Sequence, residues 1–343
     1  MGAIQFTDRG TAVRARQETR VLAQAAVAAL PAPSIFNSQP WRWRVSEHGA
    51  ELRADRARQL RSVDPDGRLL TVSCGIALHH ALTSLAAHGA DADVERFPEP
   101  RDPDLLARIR VSGGCPPDPV AVRLNAVLSV RRTDRRPFAD RPVDERALDR
   151  VRTAAEAHRA HLHLLPASDV VSLTTAASRA TAIELNDPVC RAEIEAWTHR
   201  DGSTHDGIGT VLSGIDATRA RPVPVRDFTG TNEPPAFTPS LADRTARYAV
   251  LFTDGDEPPD WLAAGEALSC VLLTATDEGL SASPMSETVE VPFTRCLLRR
   301  LLSGVGHPVV AIRFGIAADH TPAPATPRRP ATDIIEMVGE DLP

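Results

Sequence analysis

Four guanidinium groups and a hydroxyl crowd the stretch Val130-Arg131-Arg132-Thr133-Asp134-Arg135-Arg136-Pro137-Phe138. Guanidinium forks take phosphate oxygens two at a time, so Arg131, Arg132, Arg135 and Arg136 around Thr133 form a plausible phosphate site; the plain alternative is a solvated run of charge. A second stretch, APSIFNSQPWRW from Ala32 to Trp43, collects Pro33, Ser34, Asn37, Ser38 and Gln39 with little charge. Fixed hydroxyls and amides of this kind suit a neutral polar ligand better than a metal or a nucleic acid, and the plain alternative is an ordinary Pro/Asn turn. Two shorter pieces complete the set. Ser283-Pro284-Met285-Ser286 reads as a small-residue turn, and Pro327-Arg328-Arg329-Pro330 brings more guanidinium near the C-terminus. No side chain stands out as a catalytic acid or base, so the catalytic residues are unknown at this level.

Composition narrows the classes of function. The 343 residues carry 39 basic and 45 acidic side chains for a net charge of -6, which gives no general attraction to nucleic acid or anionic lipid. Every basic residue other than histidine is Arg, so Schiff-base lysine chemistry is excluded. No apolar run near the ~20 residues of a membrane span is expected, and MGAIQFTDRG lacks a signal peptide's apolar core, so the expected location is the cytoplasm. The five cysteines form no CxxC pair and are expected to be reduced. No metal is expected: His79 and His80 are adjacent on a helix and point apart, and His158, His161 and His163 lack a carboxylate or Cys partner at ligand spacing. Gly207-Ile208-Gly209 with Gly214 fails the GxGxxG spacing, and no Ser-His-Asp or HExxH order supports hydrolysis.

The elements that must position these residues show in the periodicity. Val21, Leu22, Ala25, Ala26, Ala29 and Leu30 recur at helical spacing before the Pro/Asn stretch, and Trp41, Trp43 and Val45 alternate as a half-buried strand after it. Residues 75–89, GIALHHALTSLAAHG, match residues 265–279, GEALSCVLLTATDEG, at a constant offset of 190, both reading as a buried helix stopped by glycine. A weaker echo links 21–29 with 145–157. Two related halves follow, 1–125 and 126–343. They are not equivalent, because the Pro/Asn stretch stands in the first and the Arg cluster in the second. Between a helix ending near His199 and a strand at 246–253, the Gly- and Pro-rich segment 201–245 has the length of a lid.

In this order the four stretches resemble the nitroreductase superfamily of flavin proteins, and the two-in-one layout is similar to its actinobacterial Acg-type subgroup. The resemblance runs from about residue 15 to 335 and implies an α+β fold whose two halves mimic the usual homodimer, either as a monomeric pseudo-dimer or as a weak homodimer. It implies FMN as cofactor and NAD(P)H as reductant for an electron-poor acceptor. The alternative is a protein that sequesters or stores FMN under a closed lid without turnover. By resemblance, Arg131, Arg132, Thr133 and Arg135 match phosphate and ribityl contacts, with Arg136 beside them. Pro33, Ser34 and Asn37 match the turn that packs on the ring, with Gln39 following. Pro284, Met285 and Ser286 match the turn over the flavin face, and Arg328 and Arg329 the terminal basic pair. Where the family often places a lysine near the flavin pyrimidine, this chain has only Arg135 or Arg136 to stabilise the reduced ring.

Overall fold

A computed structural model describes residues 4–209, 221–226, 243–319 and 321–339. The chain opens with α1 (Ile4–Ala28), β1 (Trp41–Ser46), β2 (Gly49–Ala54), α2 (Arg68–Ala87), β3 (Ala90–Arg96), β4 (Leu105–Gly114) and α3 (Pro119–Val127). It continues with α4 (Glu145–Glu156), β5 (His161–Leu164), α5 (Val170–Asn186), α6 (Pro188–Thr198), β6 (Arg247–Thr253), α7 (Pro258–Asp277), β7 (Ser281–Met285), α8 (Glu287–Glu290), α9 (Pro292–Leu301), β8 (His307–Gly315), α10 (Ala331–Ile334) and β9 (Ile335–Met337).

The strands form two sheets, ordered β3-β4-β2-β1-β9 and β5-β6-β8-β7. Reading β1 to β4 onto β5 to β8, the two four-strand orders are the same, and every pairing within each set is antiparallel. Strand β9, from the far end of the chain, adds to the first sheet parallel to β1. What differs is the connections within the pairs, since α8 and α9 stand between β7 and β8 where β3 runs to β4 without a helix. A two-residue link joins β1 to β2, whereas α5, α6 and the expected lid intervene between β5 and β6.

Helices α2 and α7 cross in the core. A Cβ added at Gly75 would lie 2.2 Å from Leu262 O, and one added at Gly265 would lie 2.1 Å from Val72 O, so only glycine lets the two backbones touch. The same offset of 190 recurs four residues on, where His79 Nδ1 and Ser269 Oγ are 2.9 Å apart. Each helix stops at a glycine in the left-handed region, Gly89 at φ +71° and Gly279 at φ +73°, as the sequence predicts. The expectation of no span-length apolar run is corrected by α2, which has the length and hydropathy to cross a membrane. That apolarity serves the core, because 89% of the apolar window is buried inside the protein.

A second correction concerns Pro284 and Met285. Instead of forming a turn they end β7, paired with Ile312 and Ala311. Proline is tolerated there because β7 is the edge of its sheet, and the turn begins at Ser286, the residue that precedes α8.

Candidate functional site

The Pro/Asn stretch joins α1 to β1 through a tight, strained turn. Phe36, Asn37 and Gln39 sit at φ 46°, 53° and 48°, a region that costs a side-chain-bearing residue about 1–3 kcal/mol unless its surroundings enforce it. Here they do. The Gln39 amide donates to Ser34 Oγ at 2.9 Å, Ile35 N donates to Ser73 Oγ on α2, and Asn37 N and Ser38 N close back on Ser34 O and Ile35 O. The Asn37 side chain then ties three distant segments together. Its Nδ2 donates to Gly207 O and Pro327 O, while its Oδ1 accepts from Arg328. Gln39, fully buried, donates to His205 O and accepts from Arg329 N.

These ties bring together residues far apart in sequence. A cavity of about 250 Å³ is lined by Pro33, Ser34 and Asn37 from the turn, by Arg131, Arg132, Thr133 and Arg135 after α3, and by Arg328 near the C-terminus. Arg135 and Ile208 also line a neighbouring cavity of about 40 Å³ with Pro284, Met285 and Ser286. The predicted site residues therefore converge on two adjoining cavities, with three exceptions, the first being Gln39, which is buried behind the turn and lines neither. Arg136 turns to Asp134 and Asp319 and is on neither wall. Arg329 holds Gln39 O and Asp333 O, supporting the turn from behind.

The electrostatics of the larger cavity call for an anion. Arg131 is 5% exposed, and its Nε and Nη1 have no hydrogen-bond partner. Burial, with Arg328, Arg132 and Arg135 nearby, pushes its guanidinium down to about 9, and burial with Arg132 pushes Arg328 down to about 10. Both remain cations at neutral pH. The unpartnered Arg131 nitrogens, with no carboxylate among the described residues lining this cavity, match the oxygens of a phosphate group.

Sequence reasoning missed two parts of the site. Ile208, 3% exposed, stands between the two cavities. It is held by a segment whose glycines allow close approach: a Cβ at Gly207 would meet Trp197 O at 2.6 Å and one at Gly209 would meet Thr198 O at 2.8 Å. Asp206, paired with Arg58 and Arg200, anchors the same segment. The other missed part is a buried ionic cluster beside the smaller cavity, in which Arg226 meets Glu184 and Glu290 and lies 4.9 Å over the Phe36 ring. Burial opposes its charge, but Glu184, Glu290 and Glu287 hold the Arg226 guanidinium above its ordinary value. Glycines at 207 and 209 were the available signal for the first; nothing local marks the second. Of the expected lid, 201–209 and 221–226 lie against the site and 210–220 and 227–242 lie outside the described residues.

No family model matches the sequence. The protein named "Putative NAD(P)H nitroreductase Rv3131" from Mycobacterium tuberculosis (strain ATCC 25618 / H37Rv) is 38% identical over 324 residues, covering 92% of this chain and 90% of the relative. "Putative NAD(P)H nitroreductase acg" from the same strain is 35% identical over 333 residues, covering 94% and 97%. Among solved structures, the FMN-dependent nitroreductase NfnB from Mycobacterium smegmatis in complex with NADPH aligns at TM-score 0.38 and 18% identity, covering 62% of this chain and 96% of that one. With the two sequence relatives matched along nearly their whole length, the chain belongs to the nitroreductase family.

Proposed function

We propose that the chain is an FMN-dependent oxidoreductase that takes electrons from NAD(P)H and passes them to a small electron-poor acceptor. The observation that carries this reading is the buried, partly unpartnered Arg131 among Arg132, Arg135 and Arg328, a donor set that fits a phosphate ester. Arg131 and Arg328 would hold the phosphate, with Thr133 and Ser34 beside them as hydroxyl partners. Pro284, Met285 and Ser286 form the wall of the adjoining cavity. When bound, FMN supplies the electron-transfer chemistry; the chain supplies orientation, cationic field and exclusion of water. Arg135 lies on both cavities and is placed to bring positive charge toward the end remote from the phosphate cluster.

The site is shared between two halves, 1–125 and 126–343, that act as an internal pseudo-dimer. Matching strand orders support this, and so does the α2–α7 crossing. On a two-fold axis a residue meets its own equivalent, which is what Gly75 with Gly265 and His79 with Ser269 do at one offset of 190.

Stripping any bound flavin, adding FMN, and following reduction by NADPH under anaerobic conditions tests the reading. One FMN per chain and reduction within an assay's timescale is the expected outcome. Tight FMN binding without reduction would favour sequestration, and failure to bind FMN would end both.

A further inference from the structure

Folding brings His79 of α2, His158 at the end of α4 and Cys270 of α7 together, with one ligand atom from each lying within 4.8 Å of the others. The absence of a Cys partner for His158 in the local sequence does not persist in three dimensions. A ligand set of two imidazoles and one thiolate is a donor combination used for Zn²⁺, with a water completing the tetrahedron. We propose that His79, His158 and Cys270 form a transition-metal site, with Zn²⁺ as the fitting ion, separate from the Arg131 cavity.

Several features support a site over a chance contact. Ser269 Oγ, 2.9 Å from His79 Nδ1, fixes the His79 ring, and Thr83 Oγ1 lies 3.4 Å from the same nitrogen. The two rings meet edge to face with centres 4.7 Å apart. His158 is only half-buried and leaves a way in, while His79 and Cys270 are buried.

The place in the fold is also notable. Cys270 stands at the offset-190 equivalent of His80, whose burial-lowered imidazole lies near Arg131 and Arg328 at the candidate cavity. His158 follows α4 as the Pro/Asn turn follows α1. Cys270 and His80 thus stand at equivalent positions of the two crossing helices.

Cobalt substitution tests the proposal without relying on activity. Chelator-treated protein in a Cys115→Ser, Cys296→Ser background, which removes both exposed thiols, is titrated with Co²⁺. One equivalent should give the intense visible bands of tetrahedral cobalt, at wavelengths longer than flavin absorption, and Zn²⁺ should bleach them. Cys270→Ser should abolish the bands, and His158→Gln, a change at a half-buried position, should weaken Co²⁺ binding at least tenfold while circular dichroism stays unchanged. No tetrahedral bands in the parent, or bands that survive either substitution at full affinity, would overturn the assignment. Because FMN binding is not read, failure here leaves the oxidoreductase reading standing, and the reverse also holds.

Discussion

Arg131 is buried with two guanidinium nitrogens that have no hydrogen-bond partner among the described residues. A buried guanidinium with two unpartnered nitrogens destabilises the empty fold, so substituting it should move stability and binding in opposite directions. Arg131→Ala is expected to weaken FMN by about 2–5 kcal/mol, roughly thirtyfold to several thousandfold, while the flavin-free protein unfolds at no lower temperature than the parent. Riboflavin, which lacks the phosphate, should bind both proteins alike in a fluorescence titration. Arg136→Ala should leave FMN affinity within about threefold, because its fork is spent on Asp134 and Asp319. Loss of riboflavin binding together with FMN would instead give Arg131 a structural role. The composition of the cluster was plain in the sequence. Which of its arginines faces the cavity was not, because neighbouring residues point in different directions and Asp134 claims one of them.

Helix α2 and helix α7 were readable as elements because each is a long apolar run closed by glycine, and their mutual contact was hinted at by the internal repeat. The glycines at the crossing make the contact quantitative. In Gly265→Ala the new carbon would sit 2.1 Å from Val72 O and 2.8 Å from Gly75 Cα, so the helices must part, at a cost of about 1–3 kcal/mol in urea denaturation. Gly75→Ala should cost a similar amount, and the double variant less than the sum, since one separation relieves both clashes. Gly279→Ala meets nothing within 4 Å, so its penalty should reflect only the left-handed backbone, about 1 kcal/mol. Additive losses at Gly75 and Gly265 would show that the helices do not move as one contact. Other elements were less legible. Pro284 suggested a turn, yet proline can also end an edge strand, and only the sheet order decides between them. The cluster of His79, His158 and Cys270 was invisible for a related reason, as its members come from three elements and share no local spacing.

At the scale of the whole molecule, the last described strand is bound into the first sheet. Strand β9 pairs with β1, Ile334 is 2% exposed, and Arg329 reaches Asp333 O while holding Gln39 O behind the turn. A chain ending at Pro330 loses these together and exposes the edge of β1. Its urea midpoint should fall, with Ile334 alone worth about 1.5–3 kcal/mol, and light scattering should report self-association through the unpaired edge. An unchanged midpoint would mean that β9 adds nothing to the first sheet. The cavity itself has one wall from residues 33–37 and another from residues 131–135, joined by continuous backbone. In an enzyme whose two walls belong to separate chains, thinning the solution eventually dissolves the pocket by mass action. Here both of these walls come from one chain, so they stay at a fixed effective concentration at any dilution.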